Sequence, residues 1–232
     1  MALEKGFSGR RVPSHAHLAT ASTSRRTPRK LKPVLVAIVG GSGSGKTWLS
    51  GQLAQSLAPL AVRLCLDDFY RDRSHLSPAR RATLNFDHPR AIDWLSLESV
   101  LKKALAGRIA RVPCYDFKTH SRLKREKMLA SRPIILLEGL WLLRRRAIRQ
   151  LFSLSIFLEC PASKRLRRRI GRDLNSRGRT RRSIERQFLN SVEPMHVRYV
   201  VPQALLADLV VKGDFRRSQV ERLARRVQEL LR

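Results

Sequence analysis

Val34-Leu35-Val36-Ala37-Ile38-Val39 runs directly into Gly40-Gly41-Ser42-Gly43-Ser44-Gly45-Lys46-Thr47, and a helical stretch from Trp48 to Leu57 follows. The eight residues match G-x-x-x-x-G-K-[ST] completely, with the strand before and the helix after that the motif requires. A strand feeding a glycine-rich turn lets backbone N–H groups converge on a phosphate. Lys46 then reaches the β and γ oxygens, and the Thr47 hydroxyl opens the helix as a magnesium ligand. The stretch therefore predicts a nucleoside triphosphate site at the end of a buried parallel strand.

Outward from this loop, short apolar runs alternate with helical periodicity, which predicts parallel strands joined by crossover helices. Strands are expected at 34–39, 62–66, 133–137, 154–158 and 208–211, and helices at 46–57, 94–105, 144–150, 162–175, 181–192 and 216–231. The fold class is α/β: a doubly wound, mainly parallel five-stranded sheet flanked by helices, with its ligand at the strand C-termini. Residues 107–117, with Pro113 among Val112, Tyr115 and Phe117, read as an extended excursion outside the central sheet.

The chain has 232 residues and is 43% hydrophobic, enough for one α/β core over residues 33–232. Residues 1–32, rich in Ser, Thr, Arg and Lys, are expected to be a basic extension that cannot bury enough surface to order itself; an organelle leader is the competing reading. No apolar run approaches the length of a membrane span. Cys65, Cys114 and Cys160 have no metal-ligand spacing and read as thiols of a reducing compartment, so a cytoplasmic protein without a membrane partner is expected.

Lys and Arg number 48 against 18 Asp and Glu, a formal net charge of +30. Such a balance raises a nucleic-acid-binding P-loop ATPase as a reading from another class. The arginines are spread over tail, loops and helix faces with no aromatic interleaving, which favours solvated or phosphate-facing roles over a nucleic-acid groove. The densest run, Lys164 to Arg182, contains Arg165, Arg167, Arg168, Arg169, Arg172, Arg177, Arg179, Arg181 and Arg182, with Asp173 as its acid. It predicts a helical lid over about 162–182 that closes on a triphosphate, with some members left on a solvated face.

Two strand ends carry acids. Leu64-Cys65-Leu66-Asp67-Asp68-Phe69-Tyr70 puts two carboxylates where the sheet opens, and one of them can accept a proton from an attacking hydroxyl. Neighbours on a strand face opposite ways, so Asp67 and Asp68 are expected to differ in role. Ile134-Ile135-Leu136-Leu137 ends in Glu138-Gly139. Glu138 is the candidate acid for magnesium, with a structural pairing to an arginine as the alternative.

With these parts in hand the chain resembles the uridine kinase family of P-loop kinases. The likeness runs over about residues 34–212, through Asn85-Phe86-Asp87-His88-Pro89, Ala91-Ile92-Asp93, Pro113-Cys114-Tyr115-Asp116-Phe117, His120-Ser121-Arg122, Arg172-Asp173, Arg177-Gly178-Arg179, Glu193-Pro194-Met195 and Ala207-Asp208 in the family's order. The resemblance implies phosphorylation of the 5′-hydroxyl of uridine or cytidine by ATP or GTP with Mg2+, in pyrimidine salvage. It implies Asp67 as catalytic base, Asp87 and Arg169 on the ribose hydroxyls, and Tyr70, Phe86, Tyr115 and His120 around the pyrimidine. Arg179 and Gln187 correspond to further substrate contacts, and Arg172 and Arg177 to lid positions near the phosphates. It also implies association into tetramers. The family usually has an acid before Arg-Gly-Arg, whereas Asn175 and Ser176 precede Arg177 here. A kinase of another small acceptor such as ribulose phosphate is the competing reading within the fold, and aromatic walls in place of a basic pocket argue against it.

Overall fold

The computed structural model describes residues 32–212 and 215–232, with the backbone alone at Ala82, Ser176 and Arg177. The expected N-terminal extension therefore lies outside the described residues, apart from Lys32. Among the described residues seven strands are formed: β1 (Val34–Gly40), β2 (Ala61–Cys65), β3 (Ala110–Asp116), β4 (Ser121–Leu129), β5 (Ile134–Gly139), β6 (Leu154–Glu159) and β7 (Leu209–Lys212). The α-helices are α1 (Lys46–Ser56), α2 (Pro78–Ala82), α3 (Trp94–Leu105), α4 (Arg146–Arg149), α5 (Ala162–Arg177), α6 (Arg181–Gln187), α7 (Glu193–Tyr199) and α8 (Arg217–Glu229).

Five strands make one parallel sheet in the order β2-β5-β1-β6-β7. β1 sits at its centre, paired with β5 on one side and β6 on the other, and every β1 residue is buried. A strand covered on both faces needs apolar residues at every position, which is why this segment is continuously apolar. Leu35, Ala37 and Val39 enter the core that includes α3 and the β3–β4 pair, while Val34, Val36 and Ile38 enter the one that includes α1 and α8. The sheet is thus wound on both faces, as expected, and the P-loop leaves it between β5 and β6.

The structure corrects three local expectations. The extended excursion at 107–117 is half of an antiparallel hairpin whose second strand, β4, was not expected. Between its partly covered start and the buried Leu129, β4 is exposed and mostly charged, so it carries no hydrophobic period to read. The helix expected at 181–192 does not stop there: α6 passes through a π-helical turn, Phe188–Val192, into α7, which has Pro194 in its first turn. The wider turn lets the helix pass a residue that has no N–H to donate. The helix expected at 144–150 shrinks to the single turn of α4.

Candidate active site

The P-loop is held from below by α1 and from above by α5. Gly43 has φ +81°, and a Cβ built there would lie 2.5 Å from the Arg165 carbonyl oxygen. Only glycine allows both that left-handed conformation and that approach. Arg165 is 1% exposed: its Nε donates to the Cys160 carbonyl at 3.0 Å, its Nη2 to Glu193 Oε2 at 2.5 Å, and its guanidinium lies 5.5 Å from the Phe188 ring centre. This member of the arginine run is consequently a buried brace between α5 and α7. Arg168 Nη1 donates to the Ser44 carbonyl at 3.1 Å, and Arg169 Nη1 to Ser42 Oγ at 2.9 Å. Arg167 faces solvent.

Lys46 Nζ donates to the Gly41 carbonyl at 2.9 Å, curled over the loop it serves. Burial lowers its pKa, opposed by the charges of Glu138 and Asp67. Thr47 Oγ1 donates to Glu138 Oε2 at 2.8 Å, while Arg63 Nη2 contacts Glu138 Oε1 at 3.2 Å. The arginine pairing read for Glu138 is formed at one carboxylate oxygen, while the other oxygen faces the Thr47 hydroxyl. Arg63 and Ser50, which supports it through a 3.1 Å bond from Arg63 Nε, were missed because an arginine inside an edge strand carries no motif. The described residues contain no cluster of three His, Cys, Asp or Glu able to hold a metal alone. A hydroxyl and one carboxylate at the phosphate loop suit Mg2+, which keeps waters and takes further oxygens from substrate phosphates.

A cavity of about 250 Å³ over the loop is lined by Gly43, Gly45, Lys46, Thr47, Glu138 and Arg168, and also by Asp67 and Arg172. Asp67 and Arg172 line a second, larger cavity of about 780 Å³ as well. That larger cavity gathers Tyr70, Phe86, Asp87, Tyr115, His120, Arg169, Arg179 and Gln187 from segments far apart in sequence, together with Phe117, Lys118 and Asn175, which carried no assignment. Arg177 is among the residues described by backbone alone, so its expected place near the phosphates lies outside the described side chains.

Asp67 and Asp68 do differ in surroundings, though not by strand alternation. Both sit in a 3₁₀ turn, Leu66–Phe69, after β2 ends. Asp67 lines both cavities, whereas Asp68 accepts from Lys127 Nζ at 2.5 Å, tying β4 to the turn. Burial raises the Asp68 pKa against the opposing pull of Lys127.

The aromatic wall is built by the hairpin meeting the 70–86 segment. Phe86 and His120 stack with ring centres 4.4 Å apart and planes 13° from parallel; Tyr70 lies 5.1 Å from Tyr115 and donates its hydroxyl to the Phe86 carbonyl at 3.0 Å. His120 reaches its place from a left-handed turn at φ 52°. Tyr115 Oη is buried with no hydrogen-bond partner among the described residues, and burial pushes its pKa up to about 12. Opposite stands a polar network: Gln187 Oε1 accepts from Arg169 Nη2 at 2.9 Å and from Arg179, and Asp173, fully buried on α5, pairs with Arg169 and Arg172. Asp87 Oδ2 accepts from Ser191 Oγ at 3.4 Å.

A phosphate loop on a doubly wound sheet, opening beside an aromatic-walled cavity under an arginine-rich helix, defines a P-loop kinase. The chain belongs to the phosphoribulokinase / uridine kinase family, whose model matches residues 35–218. It is 36% identical over 201 residues to a uridine kinase from Brevibacillus brevis, covering 86% of this chain and 94% of that one. A uridine kinase from Clostridium perfringens is 33% identical over 202 residues, covering 86% and 97%. Among solved structures, phosphoribulokinase from Rhodobacter spheroides aligns with a TM-score of 0.59 at 22% identity, covering 78% of this chain and 70% of that one; this likeness concerns the fold alone.

Proposed function

We propose that this protein transfers the terminal phosphoryl group of ATP or GTP to the 5′-hydroxyl of uridine, and of cytidine, with Mg2+. The observation that carries the reading is that Asp67 lines the phosphate cavity and the aromatic-walled cavity at once. A hydroxyl held there meets a carboxylate on one side and the phosphate loop on the other. Asp67 accepts the hydroxyl proton, Lys46 and Arg172 neutralise charge on the transferring group, and the P-loop N–H groups from Gly40 to Thr47 hold the donor. Thr47 and Glu138 would hold the magnesium, which would supply positive charge beside the donor phosphates.

For the acceptor, Phe86, Tyr70, Tyr115 and His120 enclose a flat base, and Asp87 and Arg169 hold the ribose hydroxyls. A deoxyribose would forgo the hydrogen bonds that Asp87 and Arg169 offer a ribose hydroxyl, so it should be rejected. Arg179 and Gln187 complete the acceptor wall, and Arg177 joins Arg172 near the phosphates. In this reading residues 33–232 are a single kinase domain with a lid over about 162–182, acting in the cytoplasm in pyrimidine salvage and assembling as a homo-oligomer, a tetramer by family likeness.

The test is a coupled phosphotransfer assay with uridine, cytidine, deoxyuridine, adenosine and ribulose 5-phosphate side by side. Turnover confined to the pyrimidine ribonucleosides is expected, with a strong loss in Tyr115→Ala and His120→Ala. Turnover on ribulose 5-phosphate that survives both substitutions would overturn the reading.

A further inference from the structure

Another cavity, of about 270 Å³, shares Phe86 with the aromatic wall and is lined also by Arg71, Arg73, Leu84, Asn85, His88, Arg90 and Ala91. Its rim is set by backbone pairing: Tyr70 forms an antiparallel bridge with Ile92, and the Arg71 N–H donates to the Ala91 carbonyl at 2.8 Å. That pairing brings Arg71 beside Arg90, and Arg71 Nε donates to the Arg90 carbonyl at 3.2 Å. Among the described residues none of the three arginines has a carboxylate within ion-pair distance. The nearest acid in sequence, Asp72, is engaged elsewhere: it accepts from the Ser74 N–H and hydroxyl at 3.0 and 2.8 Å and from the Arg122 N–H at 3.3 Å.

His88 adds no acid either. Its Nδ1 accepts from the Arg90 N–H at 3.0 Å, so the ring proton lies on Nε2, 3.0 Å from the Tyr199 hydroxyl. Burial and the charges of Arg90, Arg198 and Arg144 lower its pKa, a sign of the positive field in this corner. Like charges gathered in one concavity repel, and an anion of matching shape removes that repulsion. Arginine forks suit phosphate oxygens, and the apolar floor of Leu84 and Phe86 suits the organic part of a small compound better than a polymer.

We propose that this cavity is a second ligand site that takes a small phosphorylated compound, its phosphate held by Arg71, Arg73 and Arg90. Leu84 and Phe86 line this cavity and the acceptor cavity alike, and Phe86 carries the stack with His120. Occupancy of the second site therefore changes the affinity for the acceptor by moving a wall the two cavities share.

Inorganic pyrophosphate is the probe, titrated calorimetrically at 0.15 M salt into the full chain carrying Lys46→Ala, which weakens competing binding at the P-loop. Adding Arg73→Ala and Arg90→Ala to that background should weaken binding at least tenfold. Adding Arg217→Ala and Arg226→Ala on α8 instead should change nothing, with melting curves confirming that each variant is folded. With Lys46 intact, the Arg73→Ala/Arg90→Ala protein should keep its kinase turnover but lose the pyrophosphate-induced change in acceptor KM. An unchanged affinity, or an equal loss from the α8 substitutions, would overturn the site and leave only the diffuse field of a basic protein. A single-stranded oligonucleotide that binds more tightly than pyrophosphate, and loses that affinity with Arg73 and Arg90, would overturn the small-ligand assignment in favour of nucleic acid. None of these outcomes depends on which acceptor the kinase uses.

Discussion

Arg165→Met tests whether the arginine run is partly a structural brace. The substitution keeps an unbranched apolar stem while removing the guanidinium from Glu193 and the Cys160 carbonyl. Removing one partner of a buried ion pair costs about 3–5 kcal/mol because the other charge stays desolvated. The Glu193 side chain is 28% exposed, so water can reach it. The expected cost is therefore at the lower end, about 3 kcal/mol. For a domain of this size that corresponds to a fall in Tm of about 6–12 °C, read by circular dichroism at neutral pH. Because the Arg165 carbonyl lies against Gly43, the loop should lose order with the helix, and the KM for ATP should rise. Arg167→Ala, on the exposed face of the same helix, should change stability by no more than about 0.5 kcal/mol. Adding Glu193→Gln to Arg165→Met should recover part of the loss, since it removes the stranded charge. A Tm within about 2 °C of the parent protein in Arg165→Met would refute the brace as a source of stability.

Three further outcomes follow from the geometry. Asp67→Asn should lower kcat by roughly 10²- to 10⁴-fold while leaving ATP affinity largely intact, measured by initial rates and calorimetry; undiminished turnover would remove Asp67 from the mechanism. Glu138→Gln should raise the Mg2+ concentration for half-maximal activity by about 10- to 100-fold and lower Tm, because Arg63 loses its carboxylate; an unchanged Mg2+ response would leave Glu138 with its arginine-pairing role alone. Burial and the charge of Arg165 lower the His196 pKa from 6.5 to about 4, beside Gly41 of the P-loop. The unfolded chain binds that proton more readily, so the stabilisation is full above pH 6.5 and is lost as pH falls toward 4. His196→Asn should therefore lose less Tm than the parent between pH 6.5 and 5, and parallel pH profiles would remove His196 as the source.

Legibility followed the kind of signal each residue carries. β1 and β5 could be read because a strand buried on both faces must be apolar throughout, and the P-loop because its glycines and lysine are needed at fixed spacing. β4 could not, since an exposed strand of Arg, Lys and Glu looks like any solvated segment until it pairs with β3. Asp67 and Asp68 were separable in role but not in cause. Their different surroundings come from a 3₁₀ turn and from Lys127, a residue 59 positions further along.

Taken alone, the sequence determined the sheet, the phosphate loop with Thr47 at the start of its helix and Glu138 at a strand end, and through family resemblance it named residues that line the larger cavity. These depend on local periodicity and on short motifs, which survive in a linear string. The tertiary structure decided which arginine does what. Arg165 is buried against Glu193, Arg168 and Arg169 contact the loop, Arg172 lies between two cavities, and Arg71, Arg73 and Arg90 gather at a separate one. An arginine's role is set by the carboxylates, carbonyls and rings that the fold brings within a few ångströms, and in a chain of charge +30 no sequence spacing specifies that company.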